Sequence, residues 1–278
     1  MFNSFSKSIL FAPLLSLLLG GVLVVSCGDD DNEEDAQTSS SNQNSGTPPF
    51  DGKDKVYTAN GVSFTMIAVR GGTFQMGSYD EFAPEKPVHQ VTLSDYYIGE
   101  TEVTQELWNA VMGSNPSYFT GDMQRPVETV TWDDCQTFIF KLNQLTGVTF
   151  RPPTEAQWEY AARGGNKSKG YTYSGSDAID DVAWYNINSS STTHPVKTKA
   201  PNELGIYDMS GNVLEWCSDW YGSYSSAAQT DPTGPATGYN RVFRGGSWRS
   251  YATYCRVADR DFNTPANRGR ILGLRLAH

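Results

Sequence analysis

Two short stretches, each containing glycine and ending in tryptophan, decide how the second half of this sequence folds. The first reads Asn-Glu-Leu-Gly-Ile-Tyr-Asp-Met-Ser-Gly-Asn-Val-Leu-Glu-Trp from Asn202 to Trp216, and the second reads Arg-Gly-Gly-Ser-Trp from Arg244 to Trp248. Beyond Gly164, loops rich in Gly, Ser and Asn replace the helical patterns, so this half must be held by something other than long helices. One candidate is a bound metal ion. The other is the packing of four indole rings, those of Trp184, Trp216, Trp220 and Trp248.

The residues before Gly164 carry start and stop signals for three helices. Thr104, Thr131 and Thr154 are suitable N-cap residues, which predicts helices at residues 105–112, 132–143 and 155–163. In the second helix, four apolar side chains fall on one stripe, namely Cys135, Phe138, Ile139 and Leu142. This spacing predicts that Cys135 is a buried core thiol.

Short strands are expected around the glycine pair Gly71-Gly72. Residues 62–69 and 71–77 alternate and break at glycines, as short strands and hairpins do, and residues 88–98 are predicted to be another strand. The composition agrees with a compact, loop-rich fold, because the chain has 26 Gly, 14 Pro, 13 Phe, 7 Trp and 15 Tyr among its 278 residues.

The charge of the chain excludes one class of partner. With 21 basic and 31 acidic side chains, the formal net charge is −10, which argues against nucleic acid as a bulk electrostatic partner. The charge is uneven, since six acids fall in the seven positions from Asp29 to Asp35.

The N-terminus has the pattern of a bacterial export signal. A lone Lys7 precedes an apolar run from Ile9 to Val25, and small residues then lead to Cys27. The pattern predicts a lipoprotein signal peptide at residues 1–26, with Cys27 as the lipidated N-terminus after cleavage. An uncleaved anchor helix is the alternative.

A tether and a single folded domain follow. Residues 27–55 are acidic and then rich in Ser and Asn, so they are predicted to be a disordered tether, and residues 56–278 to be one domain. Acids directly after the lipidation site resemble the surface-export signal of Bacteroidetes-type lipoproteins, which implies an outer-membrane lipoprotein exposed at the cell surface. A periplasmic-facing lipoprotein is the alternative.

Six blocks in order along residues 56–278 resemble the sulfatase-modifying-factor family, the formylglycine-generating enzyme domain. Besides the two stretches quoted above they are Gly71 to Gly77, Glu102 to Thr104, Arg125 to Val127 and Arg151 to Gly165. The resemblance implies an α+β fold related to C-type lectins, low in regular secondary structure and often supported by calcium. The family includes both oxidases and non-catalytic members, so fold alone does not assign the function.

The oxidases of this family use two cysteines five positions apart to hold copper(I). The resemblance places Cys255 at the second position and Ser250 at the first. A serine hydroxyl is a hard ligand that cannot replace a thiolate on copper(I), so copper is expected only if the chain is an oxidase after all.

Other nucleophile and metal patterns are weaker. Cys217 could approach Cys255, either as a disulfide or paired buried thiols or, less favoured, as a rebuilt metal site. The three histidines, His89, His194 and His278, show no spacing typical of a catalytic cysteine partner or of zinc.

Calcium is the better-supported cofactor. Asp208 and Glu215 bracket a tight turn whose carbonyls can point the same way, which gives the oxygen ligands that calcium prefers. Carried over from the family, the ligands are the side chains of Asp208 and Glu215 with the carbonyls of Gly211 and Val213. The alternative is that the two carboxylates are simply paired or capping residues. The family's second calcium site, near residues 184–195, is not carried over, because the acidic pattern is missing there.

The last thirty residues mix fixed-looking family positions with an assortment that suits ligand binding. The assorted residues are Arg249, Ser250, Tyr251, Tyr254, Asp259, Asp261, Phe262, Asn263, Gly269, Arg270 and Ile271. Aromatic and guanidinium side chains supply contact energy and small polar ones adapt to shape. Ordinary packing or a solvated face is the alternative.

The same assortment is typical of a protein diversified by a retroelement that rewrites adenines. Rewriting an asparagine codon cannot produce Lys, Glu, Gln, Met or Trp, and none of these occurs from Arg249 to His278. The sequence therefore favours a surface lipoprotein that binds an unknown protein or glycan. A formylglycine-generating oxidase and a non-catalytic envelope scaffold are the competing hypotheses.

Overall fold

The computed structural model describes residues 49–80 and 83–278. The predicted signal peptide, Cys27 and most of the tether lie outside the described residues. Ordered contacts begin earlier than the predicted boundary at Val56, because the ring of Phe50 packs 5.0 Å from that of Tyr97 and the Tyr97 hydroxyl donates to Asp51 at 3.0 Å.

Ten short strands and four α-helices make up the described fold, which confirms the α+β class. The strands are β1 (Lys55–Ala59), β2 (Val62–Val69), β3 (Gly72–Met76), β4 (His89–Leu93), β5 (Tyr96–Gly99), β6 (Leu214–Trp220), β7 (Gln229–Thr230), β8 (Arg241–Arg244), β9 (Arg260–Asn263) and β10 (Leu272–Leu274). The helices are α1 (Gln105–Met112), α2 (Trp132–Thr146), α3 (Glu155–Ala162) and α4 (Ile179–Val182). None of the helices in residues 49–80 and 83–278 combines the length and the apolar character needed to cross a membrane.

The predicted helix starts are confirmed. Thr104 accepts from the Leu107 amide at 3.2 Å, while Thr131 and Thr154 each form a capping box with the residue three positions later. The ends differ slightly, since α2 continues to Thr146 and is closed by Gly147, and α3 ends at Ala162. Cys135 is fully buried on α2, as predicted.

The strands pair into three small sheets. Their orders are β1-β2-β5, β3-β4-β7 and β10-β6-β8-β9. The predicted single strand at residues 88–98 is wrong, because it divides into β4 and β5, which belong to different sheets. The break falls at Ser94 and Asp95, whose side chains bind away from the strand: Ser94 donates to Asp231 at 2.7 Å and Asp95 accepts from the Gly71 amide at 2.7 Å.

The loop-rich half is held by indole packing and by buried arginines. Trp216 is fully buried, whereas Trp184, Trp220 and Trp248 are half-buried. The guanidinium groups of Arg244 and Arg275 are fully buried and ion-paired, Arg244 to Glu159 on α3 and Arg275 to Glu215 on β6. These cross-links place the segment from Arg244 to His278 against α3 and β6 without long helices.

Candidate functional site

The C-terminal segment, residues 249–271, separates into buried and accessible positions. The family-type residues Cys255, Arg256, Val257, Ala258 and Arg260 are buried. The candidate ligand-binding residues are different, since Arg249, Tyr251, Tyr254, Asp261, Phe262 and Arg270 are exposed and Ser250, Asp259, Asn263, Gly269 and Ile271 are half-buried. All the residues singled out from the sequence as a recognition set are therefore accessible, as are the family-type residues Thr264 and Arg268.

One part of this surface is built around Trp248. Its indole nitrogen donates to the carbonyl of Arg270 at 2.8 Å, which ties the two ends of the segment together. The guanidinium of Arg270 lies 3.4 Å above the ring of Tyr118, and Phe119 meets Trp248 edge to face at 5.2 Å. Stacking on the ring of Tyr118 thus fixes the position of the exposed Arg270 guanidinium.

Two residues of this surface were not selected from the sequence. Tyr118 is 55% exposed beneath Arg270, and Ile187 is 75% exposed next to Asn186, whose amide donates to the Ser250 carbonyl at 3.1 Å. Neither position has a motif that marks it, because each joins the surface through contacts with residues far away in the chain. An exposed isoleucine beside the predicted set enlarges the apolar part of the surface.

A second part of the segment lies on β9, the last strand of its sheet. The ring of Phe262 packs 4.0 Å from that of Tyr221. Two amides of this strand region bind side-chain oxygens, since Phe262 donates to Asp261 at 2.8 Å and Thr264 donates to Asn263 at 2.9 Å. Because alternate amides of an edge strand point away from its neighbour, these side chains cover donors that the sheet itself leaves unpaired.

Ser250 and Cys255 converge on one backbone group. The Ser247 amide donates to Oγ of Ser250 at 3.0 Å and also hydrogen-bonds the thiol of Cys255. Burial raises the pKa of Cys255 to about 12, so the thiol stays protonated near neutral pH. Ser250 and Cys255 thus present one hydroxyl and one thiol to the same amide. This pair of ligands does not suit copper(I), which prefers soft thiolates.

Cys217 does not supply the second thiol of this site. The described chain contains three free cysteines, and Cys217 packs in a different cluster of the core from Cys255. The disulfide between Cys217 and Cys255, one of the alternatives that the sequence left open, is therefore not formed. Desolvation also raises the pKa of Cys217 well above its usual value, as expected for an inert core thiol.

The predicted calcium ligands lie beside a buried ion pair. Glu215 accepts from Arg275 at 2.7 Å and from the Trp158 indole at 2.6 Å, and Asp208 accepts from the Lys197 amide at 2.9 Å. Within residues 49–80 and 83–278, no three His, Cys, Asp or Glu side chains group as a metal cluster. A calcium site here would also need backbone carbonyls, which the prediction takes from Gly211 and Val213.

The predicted calcium ligands lie near a third buried acid. Glu102, which opens one of the family blocks but was not selected as a ligand, acts on Asp208 and Glu215, and Arg275 is the buried guanidinium beside them. Desolvation followed by these neighbouring acids raises the pKa of Glu102, and desolvation raises that of Asp208 to about 6. Burial therefore favours the protonated forms of Glu102 and Asp208 in the absence of further positive charge.

Comparison with known proteins agrees with the fold. The sulfatase-modifying factor enzyme 1-like domain matches residues 55–278. The chaperone protein LppX of Paenibacillus barcinonensis is 38% identical over 249 residues, covering 71% of this chain and 83% of that protein. The formylglycine-generating enzyme of Streptomyces coelicolor is 32% identical over 285 residues, covering 77% and 88%.

A solved structure is similar over nearly its whole length. Treponema denticola variable protein 1 superposes with a TM-score of 0.75 at 39% identity, covering 81% of this chain and 98% of that one. The chain therefore belongs to the sulfatase-modifying factor enzyme 1-like domain family.

Proposed function

We propose that this protein is a ligand-binding, non-catalytic member of its family, which recognises a protein or glycan through residues 249–271. The observation that carries the proposal is that all the assorted residues of this segment are exposed or half-buried, whereas the family-type residues Cys255 to Ala258 and Arg260 are buried. Accessible side chains on a buried, ion-paired support are what a recognition module needs.

The thiol chemistry supports a role other than oxidation. A serine occupies the position of the first copper ligand, and the remaining Cys255 is buried with a raised pKa. The relative named as a formylglycine-generating enzyme makes oxidase activity the hypothesis to eliminate. Incubation with copper(I), oxygen and a sulfatase-motif peptide should leave the peptide cysteine intact, and its oxidation would overturn the proposal.

A protein ligand is favoured over a glycan by the character of the surface. Tyr251 is 67% exposed and Ile187 75% exposed, and Arg249 and Arg270 are exposed guanidinium groups. Aromatic and arginine side chains dominate protein-binding hot spots. A 38% identical relative named as a chaperone is consistent with a protein partner.

Site-specific photocrosslinking tests where the ligand binds. A benzoylphenylalanine at Tyr251 should form adducts on intact cells with a partner present in the medium or on neighbouring cells. The matched control is the same probe at Tyr239, which is 93% exposed and lies outside the segment. Equal adducts from both positions, or none from Tyr251, would contradict recognition through this surface.

Diversification of the segment is a further part of the proposal. The 39% identical relative is named as a variable protein, and the absence of Lys, Glu, Gln, Met and Trp after Trp248 fits adenine-specific rewriting of asparagine codons. Sequencing the DNA around the gene should reveal a near-copy of the 3′ end that differs at adenines, next to a reverse transcriptase. Without such a copy, ligand binding would stand alone.

The proposal places the domain at the cell surface through a lipid anchor on Cys27. The pattern around Cys27 and the acids that follow support an outer-membrane lipoprotein with its domain at the cell surface. Cys27→Ser should abolish labelling by a fatty acid and release the protein from membranes. Protease added to intact cells should degrade the anchored protein, whereas a protected domain would indicate a periplasmic-facing position.

We further propose calcium as a structural ligand at Asp208, Gly211, Val213 and Glu215. Bound there, the ion would supply charge neutralisation for the three buried carboxylates. Calcium should raise the melting temperature of dialysed protein, and Asp208→Asn should remove this shift. An equal shift in the variant would place the ion elsewhere.

A further inference from the structure

A cavity of about 490 Å³ opens at the end of β6, beneath the loop that connects β6 to β7 and β8. No candidate residue of the described C-terminal segment lines it, so the cavity is separate from the proposed recognition surface. Its polar wall is formed by His89, Glu155, Asp219, Tyr224, Thr230 and Arg260.

Two residues of this wall present acceptor atoms to the cavity. Asp219 is 4% exposed, and its Oδ2 accepts from the Glu155 amide and the Ser218 hydroxyl, each at 3.0 Å. Among the described residues, no hydrogen-bond donor reaches its Oδ1, and this atom is not among the buried polar atoms without a partner. Oδ1 is therefore open to the cavity, where a ligand that supplies a donor can reach it.

The second acceptor is a ring nitrogen of His89, which is 3% exposed. Its Nδ1 lies 3.0 Å from the Pro87 carbonyl oxygen, which can only accept, so Nδ1 carries the proton. In the neutral ring, Nε2 is then an acceptor, and no described residue donates to it. The ring is fixed against Tyr224, with the two centroids 4.8 Å apart.

The charges of the cavity do not cancel. The guanidinium of Arg260 already has partners. It donates to both carboxylate oxygens of Glu155, at 2.7 and 2.8 Å, and to the carbonyls of Pro84 and Gly222. Asp219 has no such counterion in contact. Arg260, Arg241 and Arg151 act on it without contact, and Arg241 is engaged between the rings of Trp132 and Trp220.

We infer that this cavity binds a small organic amine, with its primary ammonium group donating to Oδ1 of Asp219 and Nε2 of His89. An ammonium group has three donors and no acceptor, and it supplies the positive charge that the pair Glu155 and Arg260 leaves missing. A carboxylate or phosphate ligand would meet Asp219 and find no free guanidinium. A neutral diol would satisfy the two acceptors but not the charge.

The pH dependence of binding follows from the same groups. Desolvation and the neighbouring Glu155 raise the pKa of Asp219 to about 7. The ammonium pairs with the ionised carboxylate, so binding releases a proton at lower pH, and affinity rises up to about tenfold per pH unit below about pH 7. The other charged and titratable groups that face Asp219 or line the cavity are His89, Glu155, Arg260, Arg241, Arg151 and Tyr224.

Calorimetric titration with 1,5-diaminopentane, matched by 1,5-pentanediol, tests the inference directly. The amine should bind at about millimolar concentration or tighter and the diol at least about tenfold more weakly. Equal affinity of the two compounds, or no heat and no amide shifts around Asp219 at about 20 mM amine, would overturn it.

Two variants locate the binding. Asp219→Asn keeps the size of the side chain but removes its charge, and should weaken amine binding at least about tenfold. Ser225→Ala, an exposed lining residue, and Tyr251→Ala in the recognition surface should both leave it unchanged. If Asp219→Asn fails to fold, the affinity of the wild-type protein from about pH 6 to about pH 8 decides, and a flat profile contradicts the assignment.

Discussion

Arg275 and Glu215 form an ion pair in which both side chains are completely buried. Nη2 of Arg275 lies 2.7 Å from Oε1 of Glu215, and Nε lies 2.9 Å from Oε2. The remaining donors of the guanidinium bind the carbonyls of Gly99 and Tyr207, both at 2.8 Å. One side chain near the C-terminus thus joins β6, the end of β5 and the loop before the predicted calcium ligands.

Removing Arg275 should be far more costly than removing an exposed partner of the same type. Arg275→Met leaves Glu215 buried without a counterion beside Glu102, which should lower the free energy of unfolding by about 3–5 kcal/mol. Arg268→Met is the control, because its pair with Asp134 is about half exposed and should contribute at most about 1 kcal/mol. Urea denaturation measures both, and equal losses would mean that the buried pair has no special role.

The sequence could predict those features of the fold that depend on neighbours along the chain. The N-caps at Thr104, Thr131 and Thr154 were found because a capping hydrogen bond spans three residues. The break between β4 and β5 was missed because Asp231, which holds Ser94, lies 137 residues further on. No local pattern signals such a partner.

The same reasoning explains what could be predicted of the site. Family motifs separated the assorted residues from the fixed ones, and the fixed residues Arg244 and Arg260 are buried where they bind acids on α3. The places of Glu102, Tyr118 and Ile187 could not be predicted, since each joins its group only through tertiary contacts. The same limit left the pairing of Cys217 with Cys255 open, because the sequence does not show that the two thiols pack in different clusters of the core.

The stability of the protein should fall as pH rises toward neutrality, with Asp219 among the causes. Its pKa is raised from 3.8 to about 7 in the folded state, so between these values the folded state binds more protons than the unfolded state. The free energy of unfolding therefore decreases with pH across this window. Asp219→Asn should remove this contribution, which amounts to at most about 4 kcal/mol.

Urea denaturation of both proteins at about pH 4.5 and about pH 7.5 measures the difference. Because Asp259 and Glu102 also have raised pKa values and remain in the variant, only the difference between the two proteins reports on Asp219. A difference that does not change with pH would show that the Asp219 carboxylate titrates normally.

The edge of β9 offers a test of how its own side chains protect it. Asp261→Ala and Asn263→Ala remove the acceptors of the Phe262 and Thr264 amides. We expect hydrogen exchange at these two amides to accelerate, and the double variant to self-associate through the uncovered edge. Asp261→Asn is the matched control, since the amide oxygen can still accept. Unchanged exchange in the alanine variants would mean that the two side chains do not cover the edge.

Replacing Ser250 by cysteine should rebuild the pair of soft ligands that this chain lacks. Because Oγ of Ser250 and the Cys255 thiol both bind the Ser247 amide, a second sulfur at position 250 would lie beside the first. Ser250→Cys should therefore gain tight copper(I) binding with release of the thiol protons, whereas the wild-type protein should compete poorly with a chromogenic copper(I) chelator. Ser223→Cys adds an exposed thiol elsewhere and controls for the number of cysteines. If Ser250→Cys binds copper(I) no better than Ser223→Cys, the two positions do not converge on a metal, and the proposal that Ser250 prevents oxidase chemistry is wrong.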